Sequence, residues 1–336
     1  MGPMAAIGPT AGWAGVVLAG GRSSRMGTPK SALEWHGSTL LRRTVGIVAR
    51  ATGGPVVVVR ASGQELPSLP PGIVVVDDPR DGKGPVQGIA AGLAALAELG
   101  GPGGLGGLGG PGGPGGPGGV GGVGGVGGQA HTAFVSATDL PFLHPAFIRC
   151  VLGALTEGGA DVALPVAGGY RQPLAAGYRV SLAEKAEQLV SAGRLRPAFL
   201  FDECVVTTID EARLRRDPLL AAFDPDLDSV RNVNSPADYR AARARPAPEV
   251  TVGVADPLAA AAGHAGPTGP CTVRAATLRA AADAAGLTFG RPGGPAVTTV
   301  VLNGDQVTSD GESPLATGDV VIFALGRLIL LRRLVR

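Results

Sequence analysis

The stretch VVLAGGRSSRMGTPK, residues 16–30, decides the fold of this chain. It begins as an apolar β-type run and breaks at Gly20 and Gly21 into a polar, basic loop that ends at Lys30. Glycine-rich backbone after a strand exposes successive N–H groups, which form a concavity that suits an anion. Arg25 and Lys30 add positive charge where a triphosphate would lie. The sequence therefore predicts an anion-binding loop, with a surface turn after an edge strand as the alternative.

The glycine spacing separates this loop from two common nucleotide-binding motifs. It fits neither G-x-G-x-x-G nor G-x-x-x-x-G-K-[ST], so neither a dinucleotide fingerprint nor a P-loop is indicated. Lysine is found elsewhere only at Lys83 and Lys185, and arginine supplies nearly all the other basic charge. Lys30 is conspicuous against that background and is a candidate phosphate ligand.

Length, charge and cysteine usage limit the class of protein. The 336 residues suffice for about two domains, and a net charge of +2 favours neither nucleic acid nor an anionic membrane as partner. Three widely spaced cysteines indicate a reducing cytosol rather than a zinc site or a disulfide framework. The N-terminus lacks the pattern of a signal peptide, and no run reaches the roughly 18 apolar residues of a membrane span. We therefore expect a soluble cytoplasmic protein.

Strand and helix patterns alternate through the first part of the chain. Apolar β-type runs and helical periods follow one another, which predicts a doubly wound, Rossmann-like α/β sheet. Ligands of such sheets bind at the carboxyl ends of the strands, and the predicted anion-binding loop that begins at Gly20 lies at such an end. The predicted strands cover residues 15–18, 55–59, 73–76 and 132–136, and the predicted helices begin at Ser38 and Pro85.

A glycine tract of GGP, GGL and GGV triplets occupies residues 100–128. It has too little proline and too few side chains for a collagen-like triple helix. Such a chain cannot offset its conformational entropy, so we predict a disordered insertion over residues 100–130.

Carboxylates and amides follow several of the predicted strands. Asp139 comes after the strand at 132–136 and is a candidate Mg²⁺ ligand, with a cap or turn role as the alternative. Asp77 follows another strand and is a candidate contact for a ribose or base, or a plain turn residue. Asn232 and Asn234 flank Val233 and point to one side, where they either bind a polar ligand or brace a loop.

The composition changes after a proline-rich linker at residues 244–248. Short strands, one Ala-rich helix and an Asn303–Gly304 hairpin signal then predict a small α+β domain over residues 249–326. This second domain has no cluster of catalytic residue types. We therefore divide the chain into a flexible N-terminus (1–13), a first domain (14–243), the linker, the second domain and a divergent tail (327–336).

The first domain resembles the molybdenum cofactor guanylyltransferase family. The resemblance rests mainly on one motif, Leu18-Ala19-Gly20-Gly21-x-Ser23-x-Arg25-Met26-Gly27 followed by Lys30, which is specific to this nucleotidyltransferase group. Four further segments support it: Asp77 with Gly84-Pro85-Val86-x-Gly88, Thr138-Asp139-Leu140-Pro141-Phe142, Gln172-Pro173-Leu174, and Asn232-Val233-Asn234-Ser235-Pro236-Ala237-Asp238.

The resemblance implies Mg²⁺-dependent transfer of GMP from GTP to molybdopterin, which yields the guanine dinucleotide cofactor and pyrophosphate. Arg25, Lys30 and Asp139 would carry the catalysis, with Asp139 as the metal ligand. The implied nucleotide contacts are Leu18, Ala19, Gly20, Gly21, Lys30, Asp77 and Asp139, and Gln172, Asn232 and Asn234 would lie toward the pterin.

The base remains open at this point. Pro29 precedes the lysine as in cytidylyl-transferring relatives, whereas Gly20–Gly21 favours guanine by resemblance. A cytidylyl or sugar-phosphate nucleotidyltransferase is therefore one alternative, and a non-catalytic binding protein is another. The only partners expected are small-molecule substrates and other proteins of molybdenum cofactor biosynthesis.

The second domain is similar to the ubiquitin-like sulfur carriers of molybdopterin synthesis, which implies a β-grasp fold. The likeness rests on Leu302-Asn303-Gly304-Asp305 and on Leu315-x-x-Gly318-Asp319-x-Val321-x-Phe323. Those carriers end in Gly-Gly, whereas this chain continues past Gly326 into a divergent apolar and basic segment. Sulfur transfer therefore does not follow from the resemblance.

Overall fold

The structure is a computed structural model. It describes residues 11–20, 29–79, 84–100, 130–255, 269–289, 296–297, 299–304, 306–308 and 310–324. Gly21, Arg25, most of the glycine tract and the C-terminal tail lie outside the described residues, so the predictions made for them are not addressed by the structure.

A central mixed sheet carries the first part of the chain. Its order is β10-β7-β9-β6-β1-β4-β5, with β8 paired to β7. The pairs among β6, β1, β4 and β5 are parallel, and β9 runs antiparallel between β6 and β7. The strands are β1 Trp13–Leu18, β2 Glu34–Trp35, β3 Ser38–Thr39, β4 Val56–Ala61, β5 Val74–Asp78, β6 Thr132–Ala137, β7 Val162–Ala167, β8 Tyr170–Arg171, β9 Ala175–Arg179 and β10 Val206–Ile209.

Helices cover both faces of this sheet, which confirms the predicted α/β architecture. One face packs against α1 and α3 and the other against α2 and α4, because alternate strand residues such as Val16 and Val17 point to opposite faces. The helices are α1 Leu40–Thr52, α2 Pro85–Leu99, α3 Pro145–Gly158, α4 Ala183–Ser191, α5 Pro197–Phe201, α6 Glu211–Leu214, α7 Pro218–Phe223 and α8 Pro236–Arg243.

The beginning of α1 differs from the prediction. Ser38 lies in the short strand β3, and Thr39 caps the helix by accepting a hydrogen bond from the Arg42 backbone N–H. The reason is the short hairpin formed by β2 and β3, which continues to Thr39 before the chain turns into the helix.

Gly92 and Gly153 form a matched pair of helical glycines. A Cβ atom at Gly92 would lie 2.3 Å from Cγ1 of buried Val16, whereas nothing lies within 4 Å of one at Gly153. Gly92→Ala is expected to lower the free energy of unfolding by about 1–3 kcal/mol through overpacking. Gly153→Ala is expected to raise it by about 0.5–1 kcal/mol through helix propensity. Urea denaturation measures both, and equal responses would contradict the described packing of α2 on β1.

A second sheet follows residues 244–248. Its order is β12-β11-β17-β15-β16, with β11 parallel to β17 and the other pairs antiparallel. Asn303 and Gly304 adopt positive φ angles of 54° and 88° in the turn between β15 and β16. The elements are β11 Glu249–Val254, β12 Cys271–Arg274, α9 Leu278–Ala284, β13 Thr288–Phe289, β14 Ala296–Val297, β15 Thr299–Leu302, β16 Gln306–Thr308 and β17 Val320–Ala324.

Helix α9 buries its apolar face against this second sheet. Leu278 and Ala282 share a core with Val252 and Phe323 of the strands. A membrane-spanning helix is not found in the part of the chain that the structure describes.

His144 connects the two parts of the chain. Its Nδ1 accepts a hydrogen bond from the Ala146 N–H at the start of α3, so the ring proton is on Nε2, which donates to the Thr317 carbonyl at 3.0 Å. Burial lowers the pKa of His144 to about 4, and the nearby Arg50 and Arg43 act in the same direction. The Thr317 carbonyl and the charge of Asp319 act against this shift.

The His144 pKa predicts a pH-dependent stability. An unfolded histidine titrates near 6.5, so between that pH and about 4 the unfolded chain binds a proton that the folded chain does not. The His144 contribution is therefore complete above pH 6.5 and is expected to fall by up to about 3 kcal/mol as the pH approaches 4. His144→Gln keeps an N–H donor but does not titrate. Denaturation curves of both proteins from pH 7.5 to 4.5 check this, and parallel pH profiles would contradict it.

Candidate active site

Lys30, Asp139 and Asn234 meet at the carboxyl ends of β1 and β6. The Lys30 ammonium lies 2.8 Å from Oδ2 of Asp139 and 3.0 Å from Oδ1 of Asn234. The side chains of Lys30 and Asp139 are 21% and 18% exposed, so they are accessible to a ligand but are not fully solvated. These three residues are called the Lys30 cluster below; Asp139 and Asn234 lie 109 and 204 residues after Lys30 in the chain.

The Lys30 side of the cluster is braced from β1 and β4. Lys30 begins a 3₁₀ turn, Lys30–Ala32. Gln64 Nε2 donates to the Ala19 carbonyl at 3.1 Å and to the Ser31 hydroxyl at 3.2 Å, which ties the end of β1 to this turn. Sequence reasoning missed Gln64, because a glutamine in a polar loop carries no signal of a partner 33 or 45 residues away.

The Asp139 side is positioned by the parallel pairing of β1 with β6. Leu18 is in register with Ala137, so the residues that follow the two strands leave the sheet at the same edge. The Thr138 hydroxyl is 3.4 Å from the Leu18 carbonyl, and the Asp139 carbonyl accepts from the Val233 N–H at 2.9 Å. The carboxylate is thereby held beside the end of the first strand.

Asn234 reaches the cluster because its neighbours are anchored. Val233 is buried with Trp35 and Leu40, while Asn232 and Asn234 are exposed. Ser235 and Asp238 then form a reciprocal capping box at the start of α8. The hydrogen bond from the Ser235 side chain is the largest of the contacts that lower the pKa of Asp238, so the box is formed with an ionised carboxylate.

Helix α8 is also fixed to the hairpin that precedes α1. The Tyr239 hydroxyl donates to the Glu34 carbonyl at 2.6 Å, and the Arg243 guanidinium pairs with the Glu34 carboxylate at 2.6 Å. The segment carrying Asn234 is therefore held on the same scaffold as Lys30.

The other predicted site residues are placed around the cluster rather than in it. Asp77 lies within β5, one residue before its end, rather than after the strand as predicted, and pairs with Arg60 at 2.6 Å. Gln172 Nε2 donates to the Ala167 and Tyr170 carbonyls within the β7–β8 hairpin. Leu18 is half-buried, Ala19 is buried and Gly20 is exposed at the end of β1. The roles predicted for these residues and for Asn232 stay predictions.

The donor set of the cluster fits a divalent cation that is shared with a substrate. Asp139 Oδ2 and Asn234 Oδ1 already bind one cationic group, the Lys30 ammonium. Groups of three or more His, Cys, Asp or Glu suited to a metal are absent from the described ranges. Mg²⁺ is commonly bound by one or two carboxylates together with substrate phosphates, and Asp139 meets that requirement.

The first part of the chain matches a known family of enzymes. The α/β fold with this site and the match to a nucleotidyltransferase family model define an enzyme of the nucleotidyltransferase class. Residues 15–205 match the model described as the MobA-like NTP transferase domain. The chain belongs to the MobA-like NTP transferase family. The match ends before the second sheet, so it concerns the first part of the chain alone.

Two curated relatives are named probable molybdenum cofactor guanylyltransferase. The relative from Mycobacterium tuberculosis (strain H37Rv) is 35% identical over 202 residues, which cover 59% of this chain and 84% of the relative. The relative from Mycobacterium avium (strain 104) is 33% identical over 230 residues, with coverages of 68% and 93%.

Solved structures also resemble the chain. Molybdopterin-guanine dinucleotide biosynthesis protein A from Archaeoglobus fulgidus has 21% identity and a TM-score of 0.48, with 69% of this chain and 96% of that chain covered. The 2-C-methyl-D-erythritol 4-phosphate cytidylyltransferase of Thermus thermophilus has 18% identity and a TM-score of 0.40, with coverages of 68% and 97%.

Proposed function

We propose that the chain transfers GMP from GTP to molybdopterin, with Mg²⁺, and releases pyrophosphate. The observation that carries the proposal is the Lys30 cluster, in which a lysine, a carboxylate and an amide converge where nucleotides bind in α/β sheets. The names of the two mycobacterial relatives support guanine as the base and molybdopterin chemistry as the context.

The proposed reaction is a displacement at phosphorus. An oxygen of the terminal phosphate of molybdopterin forms a bond to the α-phosphorus of GTP. The bond from that phosphorus to the bridging oxygen breaks, and pyrophosphate leaves with the electron pair. Positioning and charge stabilisation dominate such transfers, so the protein has little covalent chemistry to perform.

Lys30 and Asp139 of the cluster each have a role in that displacement. Lys30, together with Arg25 and the amides near Gly20 and Gly21, would neutralise the triphosphate. Asp139 would hold Mg²⁺, which supplies further charge neutralisation to the phosphate oxygens when it is bound. An acceptor phosphate is already ionised, so no general base is needed, and the buried His144 is outside this chemistry.

The acceptor would lie on the side of Asn232, Asn234 and Gln172. The β7–β8 hairpin carrying Gln172 leaves the sheet at the edge where β6 ends, since β9 runs antiparallel between β6 and β7. This placement supports a pterin site next to the Lys30 cluster.

For the second sheet we propose a β-grasp domain similar to the sulfur carriers, over residues 249–326, joined to the transferase domain (14–243) by the 244–248 linker. The strand order with β11 parallel to β17 supports this proposal, as does the packing of α9 on one face. Other proteins of molybdenum cofactor biosynthesis are then the expected macromolecular partners.

The proposed function is tested by measuring turnover with each of the four NTPs, Mg²⁺ and molybdopterin. Pyrophosphate release with GTP supports the guanylyl assignment. Release with CTP alone would assign the cytidylyl reaction that Pro29 suggests. Nucleotide binding without release in any mixture would identify a non-catalytic binding protein.

A further inference from the structure

Three arginines of α1 contact a loop of the second sheet unit, residues 310–319, called the docking loop below. Arg42 pairs with Asp310 at 2.7 Å and with Glu312 at 2.9 Å. Arg50 pairs with Asp319 at 2.7 Å, and both of these side chains are only 7% exposed. The Arg50–Asp319 pair is therefore desolvated, whereas the two acidic partners of Arg42 stay partly exposed, at 27% and 45%.

Arg43 joins the segment after Asp139 to the docking loop, whereas Arg42 joins the Ser68 carbonyl to Asp310 of that loop. The Arg43 Nε donates to the Pro141 carbonyl at 2.6 Å, and its Nη1 donates to the Leu315 carbonyl at 3.0 Å. The residue is 6% exposed. Burial and the nearby Arg50 lower its pKa to about 10, so it remains charged at neutral pH.

The segment between Asp139 and His144 is thus held from two sides. The Asp139 carbonyl accepts from the Val233 N–H within the first part of the chain. Arg43 links Pro141 to Leu315 of the docking loop, and His144 donates to Thr317 of the same loop. Pro141 is two residues from the carboxylate of the Lys30 cluster, so a shift of the docking loop is transmitted to Asp139 over a short path.

A second contact strengthens the coupling at the His144 end. The Phe223 ring stacks on the His144 ring with centroids 5.7 Å apart and an interplanar angle of 27°. Phe223 also packs so closely on Gly318 that a Cβ atom there would lie 2.1 Å from the ring. Phe223 therefore connects Gly318 of the docking loop to His144, which ends the segment that follows Asp139.

We propose that Arg43 is a positioning residue that makes the placement of Asp139 depend on docking of the second sheet unit. This inference rests on the proposed function, since it assigns Arg43 a role through the candidate metal-binding carboxylate. Docking of the second sheet unit would then set the Mg²⁺ concentration that the transferase needs for turnover. A partner that pulls the docking loop away from α1 would weaken Mg²⁺ binding at Asp139.

The test compares Arg43→Lys with Arg42→Lys in the full-length chain. Arg43 bonds the two carbonyls through two separate nitrogens, whereas lysine has its donors on one nitrogen, so at position 43 we expect the matched geometry to both carbonyls to be lost. The same change at Arg42 weakens a docking contact of the same helix but leaves the Asp139–His144 segment untouched. Asp319→Asn perturbs the interface from the opposite side, since Asp319 holds Arg50 and the Ala316 N–H.

The first readout is amide hydrogen exchange and does not require activity. The Val233 and Leu143 amides donate to the Asp139 and Leu140 carbonyls and report on the segment directly. We expect their exchange to accelerate by about fivefold or more in Arg43→Lys and Asp319→Asn. In Arg42→Lys we expect a change within about twofold, because its contacts lie elsewhere.

The second readout is the Mg²⁺ concentration that gives half-maximal turnover. It is expected to rise by about fivefold or more in Arg43→Lys and Asp319→Asn, with little change in the KM for GTP. Responses no larger than that of Arg42→Lys in both readouts would overturn the inference. An inactive wild-type protein with altered exchange in Arg43→Lys would reject the proposed function and leave the coupling in place.

Discussion

Lys30→Ala is expected to lower kcat/KM for GTP by about 100- to 1000-fold, the loss typical when one preorganised donor to a developing charge is removed. The Lys30 ammonium lies within 3.0 Å of Asp139 and Asn234 at the carboxyl ends of β1 and β6. In the proposed complex it leaves these oxygens and binds the triphosphate. Steady-state pyrophosphate release measures the effect.

Lys185→Ala is the matched control for this variant. Lys185 is half-buried on α4 and donates to the Glu203 carbonyl, away from the Lys30 cluster. The control is expected to keep wild-type kinetics. Its thermal midpoint and that of Lys30→Ala should stay close to the wild-type value, because a partly exposed ion pair contributes only about 1 kcal/mol or less. A Lys30→Ala protein with unchanged kcat/KM would remove Lys30 from the mechanism.

Asp139→Asn is expected to lower turnover by about 1000-fold at saturating GTP and at the Mg²⁺ concentration that saturates the wild type, since the charge that would hold the metal is worth several kcal/mol in the transition state. Asparagine has the same shape and still accepts a hydrogen bond from Lys30. The substitution therefore removes charge and leaves the packing intact. Higher Mg²⁺ concentrations should restore part of the loss if the defect lies in metal binding.

The control for Asp139→Asn is Asp202→Asn, because Asp202 is exposed after α5 and is not part of the Lys30 cluster. We expect its kcat to equal that of the wild type. Equal activity of Asp139→Asn and Asp202→Asn would show that Asp139 carries no metal or phosphate role.

Much of the fold was predictable because each signal was local. The helix predicted from Pro85 spans Pro85–Leu99. The placement of Asp139 beside the end of β1 is also consistent with the predicted parallel sheet, since β1 and β6 end at one sheet edge. The antiparallel direction of β9 between β6 and β7 could not be predicted from the sequence. An apolar run of five residues predicts a strand but does not indicate whether it is parallel or antiparallel to its neighbours.

The candidate site was only partly predictable for the same reason. Asn234 and Lys30 are 204 residues apart, and only the family resemblance suggested that both belong to one site. Arg42, Arg43 and Arg50 give the pattern of a solvated helix face when α1 is taken alone. Their partners lie in the docking loop more than 260 residues further along the chain, where no local rule connects them.

The most direct test of the central claim follows the two ends of the triphosphate with separate labels. Wild-type protein is incubated with molybdopterin, Mg²⁺ and GTP carrying ³²P at either the α or the γ position. The account predicts that the α label enters a molybdopterin-linked guanine dinucleotide and that the γ label leaves in pyrophosphate. Recovery of the α label in free GMP, or in unchanged GTP, would contradict it.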